Sequence, residues 1–60
     1  MRAIIYDQTT GITLFDRKLS RDERSKFETF LTERGFRYEQ QFDSWTNEER
    51  GHTAVIYPYA

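Results

Sequence analysis

Only one stretch of this chain carries helical spacing, and that limits what the rest can build. In "LSRDERSKFETFLTERGF" Ser20 is followed three residues later by Glu23, the pattern of a capping box, and Gly35 stands where a helix would end. The spacing predicts a helix over 21–34. Asp22 and Glu23 in its first turn and Arg34 in its last complement the helix dipole, and Asp22 precedes Lys26 by the four residues that favour an ion pair. The apolar stripe is Phe27, Phe30 and Leu31, short and confined to one side. A helix of this kind covers one face of a sheet and no more.

The remainder reads as strand and turn. Residues 2–7 are rich in Ile and Tyr, "DQTTG" supplies a turn with Gly11 at its end, and "ITLFDR" forms the return strand of a hairpin. Simple alternation puts Ile12 and Leu14 on one side of that strand and Thr13 and Phe15 on the other. After Gly35 the period is two again: Phe36, Tyr38 and Phe42 alternate with Arg37, Glu39, Gln41 and Asp43, with Gln40 interrupting the apolar side. "SWTNEERG" reads as a polar loop leading into a last strand over 52–60, and Pro58, which lacks an amide proton, marks an edge or the end of pairing. The expected fold is one α+β domain spanning 1–60. It has a four-stranded, mainly antiparallel sheet of two hairpins with one helix on one face, in the order ββαββ.

That architecture leaves a mismatch. In the last strand His52, Ala54, Ile56 and Pro58 face one way and Thr53, Val55, Tyr57 and Tyr59 the other, and neither set is polar. In the first, Ile4 and Tyr6 oppose Ala3 and Ile5. One helix cannot cover both sides, so a second copy is the expected partner of the uncovered one, joined by sheet face or by strand edge. Sixty residues with no cysteine and a single histidine have neither disulfide nor zinc to compensate for a small core. Burying four or five more large side chains, at roughly 1.5–3 kcal/mol each, would matter to such a domain.

Composition narrows the function classes. "MRAIIYDQ" lacks the long apolar region of a secretory signal and no run is long enough to span a bilayer, so the expectation is a cytoplasmic protein. A net charge of -1 gives little general attraction to nucleic acid. His52 has Asp43, Ser44 and Glu48 nearby in sequence but no recognisable nucleophile and orienting group, and Glu48 beside Glu49 reads as a solvated loop, so no catalytic residue, metal or cofactor is expected. Arg17, Lys18, Arg21 and Arg24 gather at the helix start as a candidate anion site, although Asp16, Asp22 and Glu23 offset them. Tyr6, Phe15, Tyr57 and Tyr59 suggest a base-stacking platform, without the motif of sheet-based RNA readers. Trp45, flanked by Ser44 and Thr46, is a candidate anchor for a partner. Together these point to a non-enzymatic protein-interaction module, a homodimeric regulator or inhibitor that meets its partner through Tyr57, Tyr59, Tyr6 and Trp45. The alternative is a nucleic-acid-binding protein using the sheet aromatics and the helix-start cations.

Overall fold

The computed structural model describes residues 1–58. It is α+β: β1 (Arg2–Asp7), β2 (Thr13–Lys18), α1 (Arg21–Glu33), β3 (Arg37–Glu39), β4 (Ser44–Asn47) and β5 (His52–Tyr57). The strands form one sheet in the order β2-β1-β5-β4-β3 with every neighbouring pair antiparallel. β1 and β5, whose two faces both carry apolar residues, are thus paired with each other in the middle of the sheet, where strands are most enclosed. β5 ends at Tyr57 and Pro58 follows beyond the pairing, as a residue without an amide proton should.

The sheet has five strands rather than four. The expected strand over 36–43 stops at Glu39. Residues 40–43 turn the chain, with Asp43 at φ 48°, and "SWTN", read as loop, is β4. The interruption at Gln40 was therefore the start of a turn. β3 pairs back on β4 from Arg37↔Thr46 to Glu39↔Ser44, and Tyr38 Oη donates to Asp43 Oδ1 at 2.7 Å across the turn. A polar-looking strand is hard to separate from loop by periodicity when it is only four residues long.

β2 also departs from simple alternation. Ile5 pairs with Phe15 but Tyr6 pairs with Thr13, so Leu14 is an extra residue in a β-bulge. The bulge breaks the alternation that had put Thr13 and Phe15 on one side: Phe15 lies across from Ile5, on the helix side, and Thr13 across from Tyr6 on the other.

The helix follows its sequence signals closely. The Ser20 amide donates to Glu23 Oε1 at 2.9 Å in a capping box. At the far end Gly35, φ 88°, donates to the Thr32 carbonyl and Phe36 to the Leu31 carbonyl, a Schellman closure that needs the left-handed glycine. Arg34 is the C-cap, so the last turn contains no basic residue. Phe27 and Leu31 are buried against Ala3, Ile5, Leu19, Phe36, Ala54 and Ile56, which form the core. Phe30 lies at the margin, 40% exposed, with the Arg34 guanidinium 5.0 Å from its ring centre. Buried Asn47 fastens the helix end to the sheet: its Nδ2 donates to the Arg34 carbonyl at 2.9 Å and its Oδ1 accepts from the Arg50 amide. No helix among the described residues is long and apolar enough to cross a membrane.

Candidate functional site

Cross-strand register decides which residues share a face. Phe15, Ile5, Ala54, Trp45 and Tyr38 form one row beneath the helix layer. The neighbouring row, on the opposite face, runs Asp16, Ile4, Val55, and it is flanked by Thr13, Tyr6, Thr53, Thr46 on one side and Lys18, Arg2, Tyr57 on the other. No element of the described chain packs over this second face. Its centre is an apolar strip along β1 and β5. Tyr6 and Tyr57 stand at the ends and Ile4 beside Val55 lies between them; Tyr57 is 40% exposed and the other three are half-buried.

The rim of this face is polar and organised. The Arg2 guanidinium meets the Asp16 carboxylate at 2.7 and 3.1 Å, which raises the pKa of Arg2 through that hydrogen bond and the charge behind it. Gln8 Nε2 donates to Thr53 Oγ1 at 2.8 Å, giving the buried hydroxyl a partner, and Ser44 is also buried. The strip between Tyr6 and Tyr57 extends for four residues of β5, roughly 13 Å at a strand's rise per residue. That is a flat run with aliphatic residues between two rings, not a pair of adjacent rings.

The residues singled out by sequence divide among three places. Tyr6 and Tyr57 share the helix-free face. Trp45 lies on the other side, partly buried against the core, its ring tilted on that of Tyr38 with centres 5.3 Å apart. Tyr59 lies outside the described residues. Of the four helix-start cations, Lys18 is on the helix-free face and Arg17 on the helix side, where it meets Glu23 Oε2 at 3.1 Å. Arg24 sits 3.9 Å from Glu28 on the helix, and Arg21 opens α1. The sheet therefore stands between most of these cations and the tyrosine strip. His52 lies across from Asp7 and Asn47 at the end of the sheet, whereas Asp43 is engaged by Tyr38 at the β3–β4 turn.

Sequence reasoning missed a groove between β2 and α1. Two adjoining hollows of about 300 and 440 Å³ share Phe15 and Phe30 as lining. The first also holds Arg17, Leu19, Lys26 and Phe27. The first exists because β2 is an edge strand whose outer margin the helix leaves uncovered; the second runs from Leu14 and Phe15 past the C-terminal end of α1 to Asn47, Arg50 and His52. Leu14, thrown out by the bulge, adds to the apolar wall and is 52% exposed. The only sequence signal was the bulk on both sides of "ITLFDR".

No protein-family model, curated protein or solved structure matches this chain.

Proposed function

We propose that this chain is a small non-enzymatic interaction module, a homodimer that regulates or inhibits another protein by occupying its surface through the helix-free face of the sheet. One observation carries the reading: the two central strands place Ile4, Tyr6, Val55 and Tyr57 in a continuous strip that no part of the described chain covers. Tyrosine suits such a role, because its ring gives apolar contact area while the hydroxyl tolerates water in the free state. The threonines beside the strip and the Arg2–Asp16 pair at its margin supply the polar rim of a docking surface.

The test compares tagged wild type with a Tyr6→Ser, Val55→Thr, Tyr57→Ser variant in extract of the source cell. A partner retained by the wild type and lost by the variant, at matched thermal stability, supports the reading; identical retained proteins overturn it. Fluorescence anisotropy of a labelled single-stranded oligonucleotide separates the alternative. A salt-sensitive rise with wild type that the variant loses would assign the strip to nucleic acid instead.

A further inference from the structure

We infer that two copies of this chain join through the outer edge of β2, in an antiparallel register centred on Arg17, so that their five-stranded sheets become one. This rests on the proposal that the protein self-associates and names the seam.

The hydrogen-bond pattern shows which backbone groups are free. Leu19 and Met1 exchange bonds: the Leu19 amide donates to the Met1 carbonyl at 2.8 Å, and the Met1 ammonium nitrogen donates to the Leu19 carbonyl at 3.1 Å. In an antiparallel ladder such pairs alternate with pairs whose amides and carbonyls point away. Stepping along the register, Arg17 bonds inward to Ala3, while Lys18 opposite Arg2 and Asp16 opposite Ile4 turn their backbone groups outward. The other side of β1 agrees, since the Gln8 amide bonds the Gly51 carbonyl in phase with Arg2, Ile4 and Tyr6 turning toward β5. The edge thus presents the amides and carbonyls of Asp16 and Lys18 to whatever lies alongside.

A second copy fits this edge in one register better than in its neighbours. Outward-pointing residues must face outward-pointing residues, so a two-fold axis can pass beside Asp16, Arg17 or Lys18. At Asp16 it sets that carboxylate against its own copy; at Lys18 it does the same with two ammonium groups. At Arg17 it sets Asp16 against Lys18 twice over, each exchanging backbone hydrogen bonds and opposite charges on the helix-free face. The Arg2 guanidinium already on Asp16 extends the alternation of charge. On the helix side the same axis brings the two Arg17 guanidinium groups together, a like-charge contact offset by each one's own Glu23; the neighbouring registers carry a self-opposed charge too, but without the two attractive Asp16–Lys18 pairs. Flanking them, Phe15 of one copy comes opposite Leu19 of the other, beside the groove that Phe15, Leu19, Phe27 and Phe30 leave open at this same edge. The seam therefore satisfies free backbone groups, pairs charges and covers an apolar hollow together. It also brings two tyrosine strips onto one continuous surface, doubling the docking area proposed above.

Charge reversal tests this directly. In sedimentation velocity over a concentration series, Asp16→Lys and Lys18→Asp should each weaken the dimer at least tenfold, and Asp16→Lys combined with Lys18→Asp should restore it to within about threefold of wild type. Amide exchange on the unmodified protein provides a reading independent of any variant's folding. The Asp16 and Lys18 amides should gain protection as concentration rises, while Arg17, already bonded to β1, should not change. A dimer indifferent to the reversals and to edge protection overturns the seam and leaves self-association standing. A monomer at every concentration overturns both, without touching the partner test.

Discussion

The two faces of this sheet are drawn from the same two strands yet have different fates. Beneath the helix, β1 and β5 present Ala3, Ile5, Ala54 and Ile56, with both alanines fully enclosed. On the other side they present Ile4, Tyr6, Val55 and Tyr57, larger on average and less buried. The small residues lie where a second layer must come close, and the bulkier ones where no element of the described residues arrives. Strand hydrophobicity alone therefore does not decide which face becomes core. The supply of a covering layer decides it, and one thirteen-residue helix supplies a single layer.

The largest expected effect tests that asymmetry. Leu31, the largest fully enclosed side chain, sits between helix and sheet, and Leu31→Ala should cost about 2–5 kcal/mol in urea unfolding. Val55→Thr on the uncovered face should cost about 1 kcal/mol or less in dilute protein. Equal losses would mean that both faces act as core in the isolated chain, and the contrast would fail.

Asn47 sharpens the same contrast from a polar direction. It is buried, spends its amide on the Arg34 carbonyl and its carbonyl on the Arg50 amide, and so ties the end of the helix to the β4–β5 turn. Asn47→Ala should cost about 1–3 kcal/mol, because the groups it serves lose their partners. Partner retention by the helix-free face should persist below the variant's melting temperature. A variant that kept full stability would show that the helix is held by its apolar stripe alone.

Much of this was legible in the chain. Ser20, Glu23 and Gly35 act locally, through hydrogen bonds within a few residues, and the helix appeared within a residue of its expected end. The opposition of Ile4 and Tyr6 to Ala3 and Ile5 was also readable, because alternation in an unbroken strand is geometric. The bulge at Leu14 was not: nothing in "ITLFDR" marks an extra residue, which exists only relative to the partner strand. β4 was missed for a related reason. Ser44, Thr46 and Asn47 are polar residues whose burial comes from tertiary contacts, and Trp45 alone could not signal a strand. The division of the helix-start cations between two layers likewise depends on register, which one-dimensional clustering does not carry.

The smallest effect is electrostatic and falls on the turns that frame the covered side. Glu23 is held below the usual carboxylate range by the Ser20 amide first and more weakly by Arg17; Asp7 is held below it by the amides of Thr10 and Thr9, both at 2.9 Å. Both pKa values fall on folding. Their contribution is complete above the unfolded carboxylate range near pH 4 and is lost as pH drops through the lower folded values. Both groups are solvent-exposed, so the change is modest and shrinks with added salt. Melting temperature followed from about pH 6 down to about pH 2 should decline less steeply for Glu23→Gln and Asp7→Asn than for wild type. If the variants track the wild-type curve, Glu23 and Asp7 do not carry the acid sensitivity and the electrostatic account of these two turns fails.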